Sequence, residues 1–315
     1  MAAAEFKPAW WLPSPHLQTL WPVWFRRRPR LRLQKERVEL HDGDFVDLCW
    51  SRREQGPVVL ILHGLEGSLH SHYAPGLMKT LESEGFRPVF MYFRGCSGEP
   101  NRLPRSYHSG DTGDIAEVVE YIGARLHASV YAAVGFSLGG NALLKWLGET
   151  GETNPLSRVV AVSAPYDLAA AAKRMERGVS RLYQNYLLYS LKRNYKRKFS
   201  RMASPLAVDV DEYTSFREFD DAVTAPLHGF DGVDHYYRAS SSRQYLKHIR
   251  VKTRLIHALD DPFMFADSAP RQDELSSSIE FLLSPHGGHV GFVAGRLPWK
   301  PDYWHEDRII EFLTE

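Results

Sequence analysis

The sequence predicts an α/β fold with a mostly parallel central sheet, helices on both faces and a helical cap. Three observations carry that expectation. Strand-like apolar runs alternate with segments of helical period, the pattern of parallel strands joined by crossover helices. Val58-Val59-Leu60-Ile61-Leu62 is apolar without a break, as a strand buried on both faces requires. From Asp167 to Val251 the chain is helical in pattern, charged and aromatic, with no obvious core strand, which suits an insertion over the sheet.

The elements follow in order. Residues 1–36 are read as an extension, and Met1 to Pro8 lacks the basic start and apolar run of a secretory signal. Trp10, Trp11, Trp21, Trp24 and Phe25, followed by Arg26-Arg27-Arg28, suit either a membrane interface or packing on the domain. Packing, with solvated arginines, is the expected outcome. Arg37–Leu40 and Phe45–Trp50 flank the turn Asp42-Gly43-Asp44 as a hairpin. Tyr73 to Glu84 is helical in pattern, Pro88 to Phe93 a strand, and Asp114 to Leu126 a helix. Strands are expected at Val130–Val134, Val159–Val162 and Thr253–Leu259, and a last helix near Glu306–Leu313. The cap is expected over 168–250. Its stripe Val179, Leu182, Tyr183, Tyr186, Leu187 and Leu191 runs beside a basic face, and is read as a lid helix with a solvated charged side.

Composition narrows the class. A chain of 315 residues, 43% hydrophobic and 24% charged, is ordinary for a globular protein with a large core, here read as one domain over 1–315. A formal charge of +1 gives no reason to expect nucleic acid. Cys49 and Cys96 are too few for a disulfide framework, so a reducing, cytoplasmic setting is expected. No apolar stretch approaches the roughly 18 to 20 residues that span a bilayer.

The chemistry is carried by Gly135-Phe136-Ser137-Leu138-Gly139, placed between an apolar run and the helical pattern of Asn141–Leu147. A strand that ends in G-x-S-x-G and turns at once into a helix is a nucleophile elbow. Serine is a poor nucleophile at neutral pH, so it needs a base in reach, a carboxylate to orient that base, and donors for the oxyanion. In the α/β-hydrolase arrangement the chain order is Ser, acid, His. Ser137 is followed by Leu259-Asp260-Asp261-Pro262 after a predicted strand, then by His286-Gly287-Gly288-His289.

Asp261 is the preferred acid because Pro262 fixes the turn behind it. Asp260 is the alternative at the strand end, and Asp167 is a third candidate that also suits a helix cap. His289 is preferred over His286, since Gly287-Gly288 lets its loop approach the elbow closely. Leu138 should give one oxyanion amide, and Leu65, in His63-Gly64-Leu65-Glu66-Gly67, the other. His63 is read as structural. His63, Glu66, His70 and His72 invite a zinc reading, but their spacing is irregular and no metal is expected. Gly95-Cys96-Ser97-Gly98 lacks the context of a phosphate loop, and no cofactor is expected.

With these residues in view, the chain resembles the YheT-like α/β-hydrolases, related to eukaryotic ABHD lipases and yeast ethanol acyltransferases. The resemblance runs almost end to end. It includes Pro15-His16-Leu17-Gln18-Thr19-Leu20, His63 to Gly67, Phe93 to Asn101 and Tyr107-His108-Ser109-Gly110. It continues through Gly135 to Asn141, Arg217-Glu218-Phe219-Asp220-Asp221, Asp260 to Met264 and Gly287 to Phe292. It implies a triad of Ser137, Asp261 and His289 and esterase-like activity on small-molecule acyl esters. An H-x-x-x-x-D motif starting at His108 is absent, because position 113 is Gly. Acyl transfer or thioester hydrolysis by the same residues, and a hydrolase-shaped binding protein without turnover, are the alternatives.

Overall fold

A computed structural model describes residues 5–315, so the first four residues of the extension expected over 1–36 lie outside the described residues. The chain enters through α1 (Pro15–Phe25) and the hairpin β1 (Leu33–Glu39) and β2 (Phe45–Ser51). It then alternates: β3 (Val58–Leu62), α2 (Ala74–Ser83), β4 (Arg87–Met91), α3 (Gly113–Leu126), β5 (Ala132–Phe136), α4 (Leu138–Thr150) and β6 (Arg158–Val162). The expected helices over Tyr73–Glu84 and Asp114–Leu126 form to within one residue at each end.

Eight strands, with β7 (Lys252–Ala258) and β8 (Ile279–Ser284), form one sheet in the order β1-β2-β4-β3-β5-β6-β7-β8. β1 with β2 and β2 with β4 are antiparallel; all other neighbours are parallel. The central strands read as unbroken apolar runs because each face meets a different core. Val58, Leu60 and Leu62 pack with Ile115, Val118 and Ile122 of α3 and Leu143 and Leu147 of α4. Val59 and Ile61 pack with Leu77 and Leu81 of α2 and with Ile309 and Phe312 of α10 (Trp304–Thr314) on the other face.

β3 lies between β4 and β5, so the strand order reverses beside it. In an open α/β sheet ligands bind outside the strand carboxyl ends at such a reversal. The loop after β3 and the turn after β5 therefore face one crevice, and Gly64 lies against Ser137.

Between β6 and β7 the chain forms the cap: α5 (Leu168–Met175), α6 (Ser180–Phe199), α7 (Phe216–Phe219), α8 (Ala225–Leu227) and α9 (Val233–Ser240). A π-helical stretch, Asp220–Thr224, joins α7 to α8. The apolar stripe of α6 splits: Leu187 and Leu191 line the cavity below, whereas Val179, Leu182 and Tyr186 face outward. A separate hairpin, β9 (Val293–Leu297) with β10 (Lys300–Tyr303), follows the sheet. The aromatic cluster splits as well. Trp11 and Trp21 pack beside Leu12 and Val293, while Trp10, Trp24 and Phe25 are exposed. α1 turns Gln18, Thr19 and Pro22 inward, which leaves its last aromatic residues on the outer side. No helix among the described residues is long and apolar enough to cross a membrane.

Candidate active site

β5 ends at Phe136 and α4 begins at Leu138, so Ser137 alone makes the turn. Its backbone lies at φ 51°, ψ −120°, a strained conformation for a residue with a Cβ. The Ser137 N–H donates to Val162 O at 2.9 Å and holds the turn against β6. Gly139 is needed for closeness: a Cβ there would stand 2.5 Å from His63 O. Glu66, Ser163, Val290 and Phe292 also have positive φ, and Val290 is β-branched. Strain of this kind persists only where surrounding structure enforces it, and here it gathers around one serine.

His289 Nε2 is 3.0 Å from Ser137 Oγ, and its Nδ1 is 2.8 Å from Asp261 Oδ2. The tautomer with Nδ1–H donating to Asp261 leaves Nε2 to accept the Ser137 hydroxyl proton, as a general base requires. Asp261 and His289 are 2% and 9% exposed, so water screens this pair little. The second Asp261 oxygen accepts the Phe263 N–H at 2.8 Å, which fixes the carboxylate. The Phe263 ring stacks on His289 with centroids 3.9 Å apart.

The alternative candidates are engaged elsewhere. Asp260 Oδ1 accepts the Gly288 N–H at 2.9 Å, and its Oδ2 faces Nδ1 of exposed His286 at 3.3 Å. Asp167 caps α5 by accepting the Ala170 N–H.

The two amides expected to face an oxyanion have no protein acceptor among the described residues. On either side of Leu65, the Gly64 N–H donates to Tyr73 Oη at 3.0 Å and the Glu66 N–H to Tyr107 Oη at 2.7 Å. The loop is thus held by two tyrosines with the Leu65 amide between them, and Leu65 and Leu138 line the cavity together with Ser137. His63 lies beneath, where Nδ1 donates to Gly64 O at 2.6 Å and Nε2 accepts the Phe93 N–H at 3.1 Å. Burial pushes its pKa down to about 4, so it stays neutral. His72, from the irregular His/Glu set, donates to Val290 O instead.

Two supports have no local sequence signal. Thr19 of α1 accepts the His289 backbone N–H at 2.9 Å. Gln18 accepts the Val293 N–H at 2.7 Å and donates to Val293 O and Leu12 O. Gly288 (φ +61°) passes so close to α1 that a Cβ would meet Pro15 O at 2.5 Å.

A cavity of about 130 Å³ opens from Ser137 under the cap, lined by Leu168, Ala172, Met175, Leu187, Leu191 and Phe216. That is close to the ~150 Å³ of an apolar cavity that takes up benzene. Its wall also carries Asp220, which accepts from Thr224 Oγ1 at 2.6 Å and Tyr237 Oη at 2.8 Å. Asp220 has no Lys or Arg in ion-pair reach among the described residues, and burial pushes its pKa up to about 6.

Residues 57–295 match the family described as alpha/beta hydrolase fold. The chain is 43% identical over 320 residues to "Putative esterase YheT" of Escherichia coli (strain K12), covering 99% of this chain and 94% of that one. It is 27% identical over 323 residues to phospholipase ABHD3 of Mus musculus, covering 98% and 78%. Among solved structures it is similar to the Pyrococcus furiosus esterase Pf2001, with a TM-score of 0.58 and 16% identity, covering 90% of this chain and 92% of that one. At that identity the likeness concerns the fold alone.

Proposed function

The chain belongs to the α/β-hydrolase fold family, in its YheT-like branch, and on that premise we propose that it hydrolyses carboxylic esters through an acyl-enzyme on Ser137. The observation that carries this reading is the hydrogen-bonded series Asp261–His289–Ser137 at the mouth of an apolar cavity. Ser137 Oγ attacks the ester carbonyl while His289 Nε2 takes its proton. The oxyanion is received by the amides of Leu138 and Leu65. Asp261 faces the imidazolium and stabilises it without taking the proton. His289 then protonates the leaving alkoxide, and the alcohol departs. In the second half a water gives its proton to His289 and attacks the acyl carbon. The acid is released, and Ser137 recovers its proton.

The acyl group lies in the cavity under the cap, whose volume suits short- to medium-chain acyl esters. We read residues 168–250 as the cap insertion and 1–36 as the extension of a single domain. The free Cys49 and Cys96 favour a cytoplasmic setting. The same acyl-enzyme serves acyl transfer when an alcohol replaces water, so products should be analysed with ethanol or glycerol present.

The test is labelling with a fluorophosphonate probe followed by peptide mass spectrometry, on wild type and His289→Ala. Rapid labelling at Ser137 that depends on His289 is the expected result. A folded wild-type protein that neither labels nor turns over any ester or thioester would remove the hydrolase reading and leave a binding protein.

A further inference from the structure

The outer side of α1 has no part in the chemistry above, and the segment that carries it is strongly basic. From Lys7 to Lys35 there are seven Lys and Arg and no Asp or Glu, in a protein whose formal charge is only +1. Arg26 pairs with Glu306 at 2.6 Å. Arg27, Arg28, Arg30 and Arg32 are exposed and have no acidic partner among the described residues.

Large aromatic side chains stand beside this charge. Trp24 and Phe25, at the end of α1, are 63% and 62% exposed, and Trp10 is 76% exposed. Trp10 Nε1 donates to Arg296 O, which joins the segment to the β9–β10 hairpin, where Trp299 is 78% exposed. The ring contacts Trp11–Trp21, Trp21–Phe25 and Trp24–Phe25 make the patch continuous along the helix. Single exposed apolar residues are ordinary, but a connected aromatic patch marks an interaction surface.

We propose that α1, the arginines after it and the β9–β10 hairpin form a docking face for an anionic lipid surface. Tryptophan and phenylalanine suit the boundary between headgroups and acyl chains. Four free arginines supply the attraction for anionic headgroups expected of a peripheral, non-spanning contact. The charge favours this occupant over a second copy of the chain, which would bring the same arginines together. The aromatic residues favour it over nucleic acid, which would engage the arginines without needing Trp24 or Trp299. The opposite side of the same helix holds the His289 loop through Thr19. Docking would therefore put the catalytic loop close to where acyl esters partition, although the proposal does not depend on the esterase reading.

Flotation of the full chain with vesicles tests it. Phosphatidylcholine vesicles containing about one-third phosphatidylglycerol should bind at least about tenfold more protein than pure phosphatidylcholine, and salt should weaken the binding. Brominated lipid should quench tryptophan fluorescence. Trp24→Ser/Phe25→Ser and Arg27→Gln/Arg28→Gln/Arg30→Gln should each lose most of the binding while keeping wild-type Tm and turnover of a water-soluble ester. Ser137→Ala should bind as wild type does, which separates this result from the fate of the hydrolase reading. No binding to anionic vesicles would overturn the proposal, as would binding that neither variant alters. So would dimerisation in sedimentation that Trp24→Ser/Phe25→Ser abolishes, or tighter binding to a DNA duplex than to the vesicles.

Discussion

Thr19 Oγ1 accepts the backbone N–H of His289 at 2.9 Å, joining the first helix to a loop 270 residues later. The hydroxyl proton of Thr19 is itself given to Pro15 O, so the lone pair facing His289 is fixed in direction. Gln18 holds Val293 on the far side of the same loop through both its N–H and its carbonyl. The imidazole of His289 is therefore positioned from its backbone by α1, from its Nδ1 by Asp261 and from its ring face by Phe263.

Thr19→Val keeps the volume of the side chain and removes the acceptor. A buried N–H left unsatisfied costs about 1–3 kcal/mol, and part of that cost appears as movement of the loop. The expected outcome is a fall in kcat of about tenfold or more with KM little changed, since ~1.4 kcal/mol corresponds to a factor of ten. Thr19→Ser should restore most of the rate. Steady-state kinetics on one activated ester decide the matter: equal losses in the Val and Ser variants would mean that the methyl group matters and the hydrogen bond does not.

Asp261 and Asp260 are adjacent, and the structure gives them different work. Asp261→Asn should lower kcat by about 10³–10⁴-fold, because the amide favours the wrong imidazole tautomer while leaving the packing intact. Asp260 touches Gly288 N–H and the exposed His286 and does not contact the His289 ring, so Asp260→Asn should stay within about tenfold of wild type. Measuring kcat for both variants over a range of pH tests the assignment. A larger loss at Asp260 would reverse the roles.

The sequence was legible where a residue's environment is simple. β3 is buried on both faces and reads as an unbroken apolar run, and the chain order of Ser137, Asp261 and His289 follows from the topology of strands that all end on one side. β8 has no clear sequence pattern because it lies at the sheet edge, where Glu280 and Leu283 are exposed and the apolar run is broken. α1 was hidden by Pro15 and Pro22, which argue against a helix locally, although Pro15 sits at its first turn. The contact of Thr19 with His289 uses a backbone N–H, which leaves no residue-type signature at position 289. The Asp260–His286 pair has no signature of its own, since each residue stands beside a catalytic candidate and reads as an alternative to it.

Gly139→Ala tests how closely the turn at Ser137 approaches the loop after β3. The added Cβ would meet His63 O at 2.5 Å, and backbone on both sides must move to accept it. Overpacking of this kind costs about 1–3 kcal/mol, which in a chain of this size lowers Tm by several degrees. The shift also displaces the Leu138 amide, so kcat should fall more than the stability loss alone accounts for. Thermal unfolding together with kinetics on the remaining folded protein checks both parts. An unchanged Tm would show that the loop after β3 yields to the added methyl group without cost.

Asp220 gives the stability of the fold a pH dependence with a definite sign. Its pKa is raised by burial to about 6, so between about pH 4 and 6 the folded chain holds a proton that the unfolded chain has lost. The associated stability is complete below about pH 4 and is lost as pH rises through about 6. Above that pH a carboxylate without a cationic partner faces a mostly apolar cavity, and only Thr224 and Tyr237 offset its desolvation. Asp220→Asn removes the ionisation, and the two hydroxyls can rotate to meet the amide. The variant should therefore gain on wild type between pH 4 and pH 8, by at most ~3 kcal/mol for a shift of about two units, and by less because Asp220 is only half-buried at the cavity wall. Denaturant unfolding of both proteins across this range measures the difference. If the gap between them did not widen with rising pH, Asp220 would have to carry its charge without cost, with a cation or ordered water at the cavity wall.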